Sequence, residues 1–137
     1  MPSNAIEPTE DFAGYMGASP ASTQRLTLYI PTVGRDGKPI PDREVWMREA
    51  IHLLSRLGGG ATVFPNQLGA WLDPDSDEVL EEAVDIVYTF VNPDPFEKNL
   101  ARLRAFLHRL GRETNQGEVG FEFDGQFFRI TDYDHAD

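Results

Sequence analysis

Three histidines, His52, His108 and His135, are the side chains of this chain best suited to move a proton near neutral pH. Their surroundings in sequence assign them no shared task. His52 lies between Glu49 and Arg56, and His108 between Arg104 and Arg112; neither has an evident nucleophile with an orienting carboxylate beside it. No His-Glu-x-x-His run is present, so a helix-borne zinc site of that kind is excluded. The absence of cysteine removes thiolate metal sites, a cysteine nucleophile and a disulfide framework. Asp73, Asp75 and Asp77 alternate as in a calcium loop, but Glu78 stands where that loop needs glycine and Val84 where it needs glutamate. The stretch reads as a solvated acidic turn, and neither a metal nor a cofactor is expected.

The run GGGATVFPNQLGAW, residues 58–71, invites a phosphate-loop reading. Such a loop follows a strand and opens a helix, so that helix N–H groups face the anion. Here the glycines follow a helical pattern and lead into a strand, where the helix end repels anions, and no Gly-Lys-Ser/Thr accompanies them. Gly58 reads instead as the left-handed end of a helix, with Gly59 and Gly60 as a tight entry to the strand. Gly69 and Trp71 mark a bulge or close backbone approach beside a core or interface tryptophan. Lys98, Arg102, Arg104, Arg109 and Arg112 gather on one helical segment, five of the chain's 12 basic residues. They form either a strip for an acidic partner or a nucleotide, or a solvated helix face, and the solvated face is preferred.

These residues belong to a chain of 137, the size of one domain with its own core. Its net charge of −11 opposes direct binding to nucleic acid and leaves room for a basic partner or for mimicry of nucleic acid. No apolar run approaches the roughly 20 residues needed to span a bilayer. The start, MPSNAIEPTEDFAGYMG, has neither a basic opening nor an apolar core of a signal. A cytoplasmic protein without membrane contact is expected.

Residues 1–24 read as a flexible tail, in which Phe12, Tyr15 and Met16 beside Glu10 and Asp11 form a docking motif or a weakly packed terminus, the latter preferred. RLTLYIPT (25–32) alternates as a strand, with Leu26, Leu28 and Ile30 on one face. A helix begins with Asp42 as N-cap and Glu44 in its first turn, and Trp46, Ala50, Leu53, Leu54 and Leu57 form its apolar face. A strand broken at Pro65–Asn66 follows, then the 73–78 turn, then a central strand over 80–92. Asp94, Pro95 and Glu97 announce a second helix whose core face is Phe96, Leu100, Leu103, Leu107 and Leu110. Asp124-Gly125 closes a hairpin that sets Phe121 opposite Phe128 and Val119 opposite Ile130.

That order gives an α+β fold, the ferredoxin-like βαββαβ arrangement with an added C-terminal hairpin strand, an antiparallel sheet with two helices on one face. One domain covers residues 25–131, and 132–137 read as a polar tail. Tyr29, Trp71, Val87, Val91 and Phe127 are candidates for the uncovered sheet face, and apolar residues there favour a homodimer.

Trp46, Gly59, Gly60, Ala61, Thr62, Pro65, Gly69 and Trp71 make a pattern that resembles small uncharacterised bacterial proteins of ferredoxin-like shape. The resemblance covers the first two thirds of the ordered region and implies the fold, with no activity to carry over. The leading reading is therefore a non-enzymatic binding or regulatory module, self-associating, acting on a protein or a small molecule. The alternative is a small cofactor-independent enzyme with a pocket between sheet and helices. Its polar groups would be Tyr29, Tyr88, His52 and His108, its walls Trp46 and Trp71, and no catalytic role is assigned among them. A third reading is an acidic inhibitor that mimics nucleic acid.

Overall fold

In the computed structural model, which describes residues 10–135, alternation along Arg25–Pro31 (β1) sends Leu26, Leu28 and Ile30 fully out of solvent beneath two helices. β1 is the middle strand. It pairs antiparallel with Glu78–Phe90 (β3) on one side and Val119–Phe123 (β4) on the other. Thr62–Asp73 (β2) adds to β3 and Gln126–Ile130 (β5) to β4, giving the order β2-β3-β1-β4-β5. The helices Arg43–Gly58 (α2) and Leu100–Glu113 (α4) cover one face. This is the ferredoxin-like α+β fold with a fifth strand, as the sequence pattern predicts. Burial of Leu53, Leu54, Leu57, Leu103, Phe106, Leu107 and Leu110 against the sheet holds the layers together, each such side chain contributing about 1.5–3 kcal/mol. The final hairpin turns through Asp124 and Gly125, both at positive φ, with Phe121 facing Phe128 as expected.

Several local expectations are corrected. Asp42 stands at the cap position of α2 but adopts φ 58° and makes no side-chain cap bond. The start of α2 is held instead by Arg43, described below. At its other end Gly59, not Gly58, is left-handed, with φ 88° and its N–H on the Ser55 carbonyl. Gly58 has a packing role: a Cβ there would collide with Thr89 Oγ1 and the Phe90 carbonyl on β3.

The second helix starts at Pro93, after Asn92 rather than at Asp94, and comes in two pieces. Pro93–Lys98 (α3) stops where Asn99 turns its side-chain amide back to the Pro95 carbonyl at 2.7 Å, and α4 resumes at Leu100. The break rotates Leu100 outward, so it is exposed rather than part of the core face.

The faces of β3 are also the reverse of the expected assignment. Val87 lies opposite Leu28 and Val91 is equally buried, so both belong under the helices. The open face takes Val84, Ile86, Tyr88 and Phe90, because side chains alternate and Tyr88 faces Thr27.

Within the expected N-terminal tail, Glu10–Met16 (α1) is helical, with Tyr15 and Met16 exposed; residues 1–9 of that tail and the last two of the chain lie outside the described residues. Near the other end, Tyr133 lies flat against Gly111 and donates its hydroxyl to the Gln116 carbonyl at 2.9 Å. Asp134 forks with Arg104, and its N–H donates to His108 Nδ1 at 2.8 Å. Among the described residues no helix is long and apolar enough to cross a membrane.

Candidate functional site

The site is positioned by one interruption in β2. Pairing with β3 runs in step to Phe64, skips, and resumes at Gln67, with Asn66 at φ 53°. The bulge is held from behind. Asn66 N–H donates to Asp85 Oδ1 at 2.9 Å, and Arg43 forks onto the same carboxylate at 3.0 and 2.8 Å. Asp85 is 1% exposed. Burial alone would raise its pKa; the hydrogen bonds from Arg43 and Asn66 outweigh it and hold the carboxyl below its usual range.

Beyond the bulge, β2 and β3 continue as an arm closed by the 74–77 turn, where Asp73 accepts from Asp75 N–H and the Ser76 hydroxyl, both at 3.0 Å. That carboxylate is spent on the turn itself. Apolar side chains stand exposed on the arm: Trp71 and Leu80 on the open sheet face, Leu68, Leu72 and Val79 on the other.

On the open face the Tyr29 hydroxyl donates to Glu122 Oε2 at 2.6 Å. Burial first, and then that hydrogen bond and the Glu122 charge, push the Tyr29 phenol up to about 12. Phe127 lies across Gly120, where a Cβ would come within 2.6 Å of its ring, and its ring centre is 6.4 Å from that of Tyr29. Phe64 stacks on Tyr88 at 5.8 Å, and the Arg25 guanidinium stands over the other side of this cluster at 5.3 Å from the Tyr88 ring centre. Beneath them Thr27 is 5% exposed, and its hydroxyl finds no hydrogen-bond partner among the described residues.

A cavity of about 140 Å³ opens beside Tyr29, walled by Pro31, Glu82, Val84, Gln116 and Glu118. Glu82 lines it from the exposed side, and partial desolvation holds its carboxyl above the usual range. Gln116 is fixed from three sides: its carbonyl accepts from Tyr133 and Arg35, and its amide donates to the Val33 carbonyl at 2.9 Å.

The six residues singled out by sequence do not converge. Tyr29, Tyr88 and Trp71 share the open face. Trp46 packs against the core between α2 and α4, on Phe106 and Arg109, and His52 is exposed on α2. His108 is buried under Tyr133 and Asp134. Core leucines fill the space between sheet and helices, so the cavity lies on the sheet's outer face. Glu82, Gln116, Glu118 and Glu122 were missed. For Glu122 a signal existed: a carboxylate between Phe121 and Phe123 in an alternating strand must point away from the core, beside whatever β1 places there.

No protein-family model matches the sequence, and no curated protein matches it. The fold is similar to that of a phage SAM lyase in complex with S-methyl-5'-thioadenosine, with a TM-score of 0.54 at 15% identity, covering 80% of this chain and 89% of that one. The apo state of phage SAM lyase gives 0.51 at 14% identity, covering 82% and 92%. The divalent ion tolerance protein CutA1 from Ehrlichia chaffeensis gives 0.43 at 12%, covering 83% and 84%.

Proposed function

We propose that the open sheet face is the site of a small cofactor-independent enzyme acting on an organic cation, and that a second copy of the chain completes it. The observation that carries this reading is Tyr29, tied to Glu122 on the open face, lining one cavity with Glu82. Carboxylates with aromatic faces attract a cation through charge and ring quadrupole together. A phenol that stays protonated is a fixed donor, and a carboxyl with a raised pKa is the better proton acceptor. The similarity in fold to a phage SAM lyase supports the choice of cation, since SAM is a sulfonium and S-methyl-5'-thioadenosine is a thioether formed when one of its carbon–sulfur bonds breaks.

Self-association rests on the apolar residues Phe64, Trp71, Leu72 and Val79, which stand exposed on a face and arm that a monomer has no use for. The non-enzymatic reading uses the same cavity for binding without turnover. The enzyme acts on a small molecule, the non-enzymatic module on a small molecule or a protein, and either works in the cytoplasm.

The test is incubation of the purified protein with SAM, following release of S-methyl-5'-thioadenosine by mass spectrometry. Release that Glu82→Gln and Tyr29→Phe each reduce by about tenfold or more supports the enzyme. Binding without release leaves the non-enzymatic module, and neither binding nor release removes the sulfonium from the reading.

A further inference from the structure

The outer side of the helical layer carries a second cavity, of about 260 Å³, between α2 and α4. His52 and Arg56 stand one turn apart on α2, and Arg102 and Arg109 two turns apart on α4, so helical spacing brings both pairs to the same groove. Leu53 and Phe106 form part of its lining. This groove is on the opposite side of the molecule from the open sheet face, and nothing in the proposed enzyme uses it.

The charge of the groove is out of keeping with the chain. Acidic residues number 23 against 12 basic ones. Arg43, Arg48, Arg104, Arg109, Arg112 and Arg129 each lie beside a carboxylate. Arg25 stands over the Tyr88 ring, and Arg35 donates to the Gln116 carbonyl. Arg56 and Arg102 are the arginines left without a carboxylate, carbonyl or ring partner among the described residues, and both line this cavity. Arg109 is already neutralised by Glu49 and held over the Trp46 ring at 4.9 Å, which fixes one wall. Glu49 also lines the groove but is engaged by Arg109, so the net positive charge comes from Arg56 and Arg102, two like charges facing one space. An anion placed there relieves that repulsion.

We propose that this groove binds a small phosphate-bearing anion. A guanidinium offers a planar fork of donors that matches phosphate oxygens. Two forks from opposite helices need more acceptor oxygens than one carboxylate supplies, and a phosphoryl group has them. The net charge of −11 disfavours non-specific binding of polyanions, which leaves the groove as the place where an anion is expected to hold.

Calorimetric titration with inorganic pyrophosphate, in a phosphate-free buffer at low ionic strength, tests the assignment. One saturable site is expected, weakening with salt. Arg56→Gln combined with Arg102→Gln weakens it about tenfold or more, as the loss of charge-assisted hydrogen bonds requires. Circular dichroism and thermal unfolding of the double variant stay unchanged, because both side chains are exposed. Absence of binding, or binding that the double variant retains, overturns the proposal. Tighter binding of a short oligonucleotide through the same two arginines overturns the small-anion assignment in favour of nucleic acid.

Discussion

The Tyr29 hydroxyl reaches Glu122 at 2.6 Å along a diagonal of the sheet, because the residue facing Glu122 across the ladder is Thr27. A phenol and a carboxylate are thus tied together over a buried hydroxyl on an otherwise aromatic surface. Tyr29 ionises about two units above the ordinary phenol, at about 12. The folded pKa is the higher one, so the contribution of this group to stability is complete below the unfolded value near 10 and is lost as pH rises from there toward 12. Absorbance titration of the phenolates is expected to show one late tyrosine that disappears in Tyr29→Phe. In Glu122→Gln that titration moves down toward 10 but does not reach it, since burial is the larger cause.

The Arg43–Asp85 pair makes a prediction of opposite sign in pH. Asp85 has its pKa lowered in the fold, so its contribution is present above the unfolded carboxylate range and disappears as pH falls through the folded value. Removing Arg43 strands a buried charge. Arg43→Met is expected to cost about 3 kcal/mol at neutral pH, and to lessen the loss of stability on acidification. Urea unfolding at pH 7 and pH 3 measures both.

Gly58 and Gly59 separate a packing glycine from a conformational one. Gly58→Ala pushes a methyl group into β3 and is expected to cost about 1–3 kcal/mol through overpacking. Gly59→Ala meets no close atom but must hold φ 88°, at a cost of about 1–2 kcal/mol. Raising the temperature of each variant under circular dichroism ranks them. If Gly59→Ala were the more damaging by a wide margin, the close approach of α2 to β3 would be wrong.

Trp71 and Phe64 test the self-association. Both are half exposed, and neither is needed to close the core. Trp71→Ser with Phe64→Ser is expected to give a monomer by light scattering at unchanged helical content. A parent protein that is itself monomeric at high concentration would contradict the shared site.

How far the sequence could be read depended on the range of the interactions involved. Alternation in β1, the Asp124-Gly125 turn and the leucine spacing of the helices are local signals, and apart from Leu100 each appears in the structure where it was expected. The two faces of β3 were both apolar, so no local pattern distinguished them; pairing with Leu28 decided which lay inside. Asp94 and Asp42 looked like caps because of residue type, yet a cap needs the side chain aimed at the first turn, and neither serves as one. The open-face cluster joins residues about ninety positions apart, Tyr29 with Glu122, and Glu82 comes from a third strand. Only the strand order brings them together, which is why alternation could turn Glu122 away from the core but could not set it beside Tyr29.

The bulge at Pro65–Asn66 acts as a parity switch for the arm. Before it, even-numbered residues of β2, Thr62 and Phe64, face outward with Tyr88 and Ile86; after it, odd-numbered ones do, Gln67, Gly69 and Trp71. The inserted residue shifts the numbering of β2 by one while the alternation of β3 runs on unbroken. Deleting Asn66 would set Pro65 alone opposite Asp85 and leave Gln67 facing Val84 and Trp71 facing Leu80, so the arm's apolar stripes keep their sides while the bond from Asn66 N–H to Asp85 is lost. What the extra residue supplies is a backbone N–H turned onto Asp85, and because Arg43 holds the same carboxylate, the root of the arm is tied to the first turn of α2.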